Sequence, residues 1–170
     1  MMANASLCIA LSFILSYVKL YEMPQGGSIT LASMIPILMF AYAYGTAPGL
    51  LVGFAYGLLQ FIQGGWFVHP IQFLLDYPLA FSMLGFAGIG RKLPDQWGMI
   101  PGIIAAVSLR FVCAFLTGVF FWGESAGEQS VLMYSAVYNG AYLIPETLIC
   151  IVIAMIPQIR KLAKQISFYP

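Results

Sequence analysis

Six apolar segments, each parted from the next by a short break rich in Gly, Pro or charge, divide this chain almost end to end. The first runs from Ala3 to Tyr21 and stops at Glu22-Met23-Pro24-Gln25-Gly26-Gly27. The second covers Ile29 to Tyr44 and ends in the turn from Gly45 to Pro48; the third covers Gly49 to Gln63 and gives way to Gly64-Gly65. A fourth begins at Pro70, which suits a first helical turn because the amide it lacks has no partner there, and continues to Gly90 with a kink expected at Pro78. The fifth covers Met99 to Trp122 and the sixth Val131 to Ile156, with Pro145 inside it. Segments of this length and apolarity read as helices that cross a lipid bilayer.

Composition agrees. Hydrophobic residues make up 61% of the 170 and charged residues only 8%, against roughly 25% charged in a soluble domain. A chain this small has too much surface for its volume to hide that apolar excess from water. The expected fold is therefore all-α and polytopic, one membrane domain over residues 1–170 with six transmembrane helices. A net charge of +1 without a basic stripe gives nucleic acid nothing to bind. Cys8, Cys113 and Cys150 all lie in apolar runs, with no metal-site spacing, and read as small packing residues. The N-terminal stretch lacks a positive n-region and a clear cleavage site, and reads as a first membrane helix.

Charge orients the bundle. Arg91 and Lys92 separate segments four and five, and Arg160, Lys161 and Lys164 follow segment six. With six spans both groups fall on the side of the N-terminus. The opposite loops carry Glu22, Glu124 and Glu128, with Lys19 the one nearby cation. The positive-inside rule then puts both termini in the cytoplasm.

Besides Lys19 at the end of the first, three charges fall within the apolar segments: Asp76, Arg110 and Glu146. A charge at bilayer depth costs about 2.5–3.5 kcal/mol on insertion scales, so each must face a partner or a wet cavity. At about 1.5 Å per residue, Arg110 lies roughly 18 Å from either end of its segment and Asp76 about 9 Å below the outer end of its own. Arg110 can pair with either carboxylate as a helix tie, which leaves one negative charge over for a cationic ligand unless one acid is protonated. Aromatic residues gather in the same outer half: Trp66 and Phe67 before segment four, Tyr77 beside Asp76, Phe121 and Trp122 closing segment five. An interfacial belt accounts for such residues taken singly. It does not account for Tyr134, Tyr138, Tyr142 and Glu146, which recur every four residues as one stripe, with Asn139 on the adjoining face. Phenols, an amide and a carboxylate so placed make a wall for a flat, cationic, hydrogen-bonding ligand, or polar glue between helices. Gly26-Gly27-Ser28, placed at the start of segment two, offers amides and a hydroxyl to a helix cap or a ligand. His69 beside Pro70 reads as a cap or surface residue.

Several functions are excluded. The chain has no Walker A lysine motif, no HExxH pair and no GxSxG elbow. It shows no repeated filter or ring of like charges, and no internal repeat of the secondary-transporter kind. No catalytic or metal-ligating set emerges. A binding subunit that draws its energy from partners is what remains.

The segments Lys19 to Ser28, His69 to Phe81, Arg110-Phe111-Val112-Cys113 through Gly118 to Trp122, and Tyr134-Ser135-Ala136-Val137-Tyr138-Asn139-Gly140 together resemble the thiamine-specific S components of energy-coupling factor (ECF) transporters, the ThiT family. The resemblance runs nearly end to end. It implies the six-helix S-component fold in the plasma membrane of a bacterium, thiamine as transported ligand with no cofactor, and a transmembrane T subunit with two ATPases as partners. The family's acidic-aromatic pair falls on Asp76 and Tyr77, its fifth-helix basic residue on Arg110 and its terminal tryptophan on Trp122. Its sixth-helix tyrosine and asparagine fall on Tyr134 and Asn139, and Gly27, Ser28, Trp66 and Tyr138 complete the expected substrate site. Four positions after the basic residue the family usually carries a ligand-contacting histidine, and here stands Ala114. Ser6 and Ala10 on the first helix form a small-xxx-small pair suited to close approach by a partner helix. In the expected complex Asp76, kept ionised by Arg110, balances the thiazolium or hydrogen-bonds the aminopyrimidine, while Trp122, Tyr77 and Tyr134 stack on the rings and Asn139 bonds the pyrimidine. The competing readings are an S component for another vitamin or a thiamine precursor, and a non-transporting membrane scaffold.

Overall fold

The computed structural model describes all residues except Gln25, Asp95, Gln96, Tyr169 and Pro170, and omits the side chains of Lys164, Ser167 and Phe168. Gln25, part of the first expected break, and the side chain of Lys164, one of the orienting cations, thus lie outside the described residues.

The first helix, α1 (Met2–Ser16), buries only Cys8, Ser12 and Ser16, one narrow stripe four residues apart. It ends five residues before the expected Tyr21. Lys19–Glu22 (β1) instead pairs antiparallel with Ser28–Thr30 (β2), with Tyr21 opposite Ile29 and Glu22 opposite Ser28. Aromatic and β-branched residues on both sides of a Gly26 at φ 90° suit a hairpin. Lys19 and Glu22 meet at 2.7 Å on its exposed face. Segment two accordingly starts later than expected, at Ile35, so Gly27 and Ser28 belong to the hairpin and not to a helix start.

Helix α2 (Ile35–Tyr44) is buried all round from Ile35 to Ala43 and forms the centre of the bundle. Gly45, at φ 98°, makes the expected break before α3 (Thr46–Ile62). Helix α4 occupies Pro70–Lys92. His69 caps it, its Nδ1 accepting the Ile71 N–H at 3.1 Å. The disturbance expected at Pro78 takes the form of a π-turn over Leu75–Leu79, where the missing proline amide leaves a ladder position unfilled. Beyond Ser82 the helix tightens to 3₁₀ geometry over Met83–Lys92.

Gly49, Gly53 and Gly57 face α4 from α3. A methyl group on Gly53 would run into the Phe81 carbonyl, and one on Gly57 would meet the Tyr77 carbonyl and lie 2.9 Å from Pro78 Cα. The two helices therefore touch backbone to backbone, a contact only small residues allow.

Helices α5 (Met99–Phe121) and α6 (Val131–Met155) pack against each other and complete the bundle. A last helix, α7 (Pro157–Phe168), was not foreseen. It buries Ala163 and sets Ile159 and Ile166 against the core. The Tyr44 hydroxyl donates to the Ile166 carbonyl at 2.6 Å, and Asn4 Nδ2 donates to Tyr44 at 2.7 Å, so the C-terminal helix is tied to α2 and α1.

By length and hydropathy α4, α5 and α6 are able to cross a membrane, and α1, α2 and α3 are shorter apolar helices. Large apolar side chains such as Leu51, Phe120, Ile144 and Val152 point outward, as lipid-facing surfaces require. The cysteines at 8, 113 and 150 are free and buried.

Candidate functional site

The hairpin, the C-terminal ends of α1 and α3, the N-terminal halves of α4 and α6 and the C-terminal half of α5 enclose a cavity of about 420 Å³. Its walls include all ten residues expected from the sequence: Gly27, Ser28, Trp66, Asp76, Tyr77, Arg110, Trp122, Tyr134, Tyr138 and Asn139. Ala114 lines it too, as do Gln60, Gln63, Phe81 and Tyr142.

The π-turn presents Asp76 and Tyr77. Fully buried Gln72, one helical turn earlier, donates Nε2 to Asp76 Oδ2 at 2.8 Å and to the Trp66 carbonyl at 3.2 Å, while its Oε1 accepts the Val68 N–H at 3.0 Å. The Tyr77 hydroxyl accepts the Trp66 N–H at 2.8 Å. One amide and one phenol thus fix both the acid and the loop that carries Trp66. The Trp66 and Trp122 rings then meet edge to face, centroids 6.0 Å apart. Gln72 escaped sequence reasoning, although a Gln four residues before an Asp on one helix was a readable signal.

On α6 the tyrosine stripe becomes a column. Tyr134 and Tyr138 stack at 6.0 Å, and Tyr142 meets Tyr138 edge-on at 6.1 Å. Asn139 Nδ2 donates to the Ser135 carbonyl at 2.9 Å and the Ala114 carbonyl at 3.2 Å, and its Oδ1 accepts from the Tyr142 hydroxyl at 3.0 Å. Both amide hydrogens are engaged, so Asn139 faces a ligand as an acceptor only. The Gly27 N–H donates to the Tyr138 hydroxyl at 3.2 Å, which seats the hairpin on the column. A side chain at position 27 would come within 2.7 Å of the Tyr142 ring.

The charges sort differently from one expectation. Arg110 Nη1 lies 3.9 Å from Glu146 Oε2, and the guanidinium sits 4.2 Å above the Phe81 ring; among the described residues it makes no ion pair with Asp76. Gln72, not Arg110, is the direct partner of the Asp76 carboxylate. Glu146 sits behind the cavity wall, where the Thr30 hydroxyl donates to its Oε1 at 2.5 Å and the Ser33 hydroxyl at 3.3 Å. The base of the hairpin is thereby fastened to α6 and, through Arg110, to α5. Lys19 pairs with Glu22 and Arg110 with Glu146, so Asp76 faces the cavity without an ion-pair partner among the described residues. Such a site suits a monocation with aromatic character.

Comparison with known proteins agrees with this architecture. The family described as Thiamine transporter protein (Thia_YuaJ) matches residues 2–166. The thiamine transporter ThiT of Bacillus subtilis is 35% identical over 145 residues, covering 78% of this chain and 75% of that one. ThiT of Lacticaseibacillus paracasei is 30% identical over 136 residues, covering 71% and 68%. The solved structure of ThiT from Listeria monocytogenes superposes with a TM-score of 0.81 at 26% identity, over 93% of this chain and 95% of that one. An S component of a bacterial ECF transporter shares the fold with a TM-score of 0.64 at 20% identity, over 97% and 96%. The chain belongs to the thiamine transporter protein family.

Proposed function

We propose that this chain is the thiamine-binding membrane subunit, or S component, of an ECF-type uptake transporter. One observation carries the reading: Asp76, a carboxylate without an ion-pair partner among the described residues, stands in a cavity of about 420 Å³ lined by Tyr77, Trp66, Trp122, Tyr134 and Tyr138. The volume lies in the range of small-molecule sites, and a thiazolium is a permanent cation that gains from both a carboxylate and aromatic faces. Asp76 balances that charge. Tyr77, Trp122 and Tyr134 flank the rings, and Asn139 Oδ1 accepts from the exocyclic amine of the pyrimidine. Gly27 and Ser28 close the site from the hairpin. The ligand is carried unchanged, without cofactor or catalysis.

Residues 1–170 act as one membrane domain, with the cavity toward the outside and both termini in the cytoplasm. The end that carries Arg91, Lys92, Arg160 and Lys161 supports this orientation, and the end that carries Glu22, Glu124 and Glu128 faces outward. A T subunit and two ATPases supply the energy. Ser6 and Ala10, exposed on α1, support close approach by a partner helix.

Titration of the purified protein with thiamine, followed by quenching of Trp66 and Trp122 fluorescence, tests the reading. Thiamine is expected to bind far more tightly than riboflavin or biotin, and Asp76→Asn to weaken it at least tenfold without loss of fold. Equal affinity for the three vitamins would sink the thiamine assignment.

A further inference from the structure

The cavity wall built from the ends of α1 and α3 contributes no ring of its own. Among the described residues it consists of Ser16, Gln60, Gln63, Gly64 and Gly65. Its two glutamines hold each other in place. Gln60 Nε2 donates to the Tyr56 hydroxyl at 2.9 Å and to Gln63 Oε1 at 3.1 Å, which uses both its hydrogens. Gln63 Oε1 also accepts from Ser16 Oγ at 2.8 Å, and Tyr56 in turn donates to the Ser12 carbonyl at 3.2 Å.

What this chain leaves for the cavity is one acceptor, Gln60 Oε1, and one donor, Gln63 Nε2; among the described residues neither has a partner. A concerted flip of both carboxamides would exchange the two roles and still present one of each. The pair is therefore matched to a group that donates and accepts at a single atom. A hydroxyl does so with one atom, whereas an aminopyrimidine edge divides donor and acceptor between two.

We propose that Gln60 and Gln63 form a hydroxyl-binding subsite that receives the hydroxyethyl arm of thiamine, an assignment that rests on the thiamine reading. The subsite also selects against a phosphate ester of the same arm. Lys19 is engaged by Glu22 at 2.7 Å and Arg110 by Glu146 at 3.9 Å, so these two cations on the cavity wall are already balanced. An ester dianion would have no proton for the acceptor oxygen of the pair.

The test is calorimetric titration of the purified protein with thiamine and with the analogue in which ethyl replaces hydroxyethyl. Wild type is expected to prefer thiamine by roughly tenfold. Gln63→Met and Gln60→Met are each expected to bind thiamine roughly tenfold more weakly and the ethyl analogue as wild type does, which abolishes the preference. Because the comparison is made between two ligands on one variant, a general weakening of the fold moves both alike and is not mistaken for the effect. If wild type binds the two ligands equally, or a variant loses the same factor for both, the subsite is overturned and the thiamine reading stands. A penalty that follows an analogue lacking the pyrimidine amine overturns the hydroxyl assignment. Absence of thiamine binding by wild type overturns both.

Discussion

The Tyr138 hydroxyl accepts the Gly27 N–H at 3.2 Å, so the turn of the hairpin rests on the middle ring of the tyrosine column. The same ring lines the cavity, and cover and site share a residue. Tyr138→Phe removes the acceptor and keeps the ring. A neutral hydrogen bond is worth about 1 kcal/mol net, so thiamine should leave roughly fivefold faster, while the association rate and melting temperature barely change. Stopped-flow tryptophan fluorescence in a chase experiment measures this; an unchanged release rate would show that the hairpin is held by other contacts.

Glu146 touches no ligand in the proposed complex, yet its charge offsets Arg110 on the cavity wall. In Glu146→Gln the guanidinium becomes an uncompensated cation beside a cationic ligand, a repulsion of roughly tenfold in affinity. Breaking a buried pair also costs stability, about 3–5 kcal/mol. The double variant Arg110→Met/Glu146→Gln should recover most of both losses. A double-mutant cycle read in melting temperature and in thiamine affinity decides it, and additive effects would remove the coupling.

Gly57→Ala places a methyl group against the Tyr77 carbonyl and 2.9 Å from Pro78 Cα. Forcing the helices apart should cost about 1–3 kcal/mol. Because the strain falls on the turn that holds Asp76 and Tyr77, thiamine binding should suffer along with thermal stability in detergent. Leu58→Ala, next to it on an exposed face, is the control expected to leave both nearly unchanged.

At the other end of the molecule, Tyr44→Phe deletes the hydroxyl that bridges Asn4 and the Ile166 carbonyl. The loss of about 1–2 kcal/mol should appear as faster hydrogen exchange in α7, with thiamine affinity untouched. An α7 that stays equally protected would mean that its apolar face alone, through Ala163 and Ile166, holds it in place.

Much of this arrangement was legible in the residues. The Gly45 to Pro48 break, the four-residue period of Tyr134, Tyr138 and Tyr142, and the aromatic setting of Asp76 all survive in three dimensions because each is a local property of spacing. The end of α1 was not legible, since Val18-Lys19-Leu20-Tyr21 is as acceptable to a strand as to an apolar helix until its partner Ser28–Thr30 is known. Helix α7 was hidden by its own charges, which read as a solvated tail. The partner of Arg110 depends on how α4 and α6 are rotated, which no single segment specifies. Gln60 and Gln63 were passed over because a neutral amide in an apolar helix carries no signal until its bonds are seen, whereas Gln72 could have been found from its four-residue spacing to Asp76. The Gly49, Gly53, Gly57 spacing was readable and marks the seam with α4.

That seam has a consequence for how a ligand gets in. Parting α3 from α4 would give up the close backbone packing of Gly49, Gly53 and Gly57 against Gly85, Phe81, Tyr77 and Pro78 along the whole seam at once. The glutamine side and the carboxylate side of the cavity are therefore joined as a single stiff jaw. Traffic has to pass where the enclosure is held by individual hydrogen bonds, at the Gly27 to Tyr138 contact and along the hairpin, so the timing of entry and release is set by one short hairpin and not by the bundle.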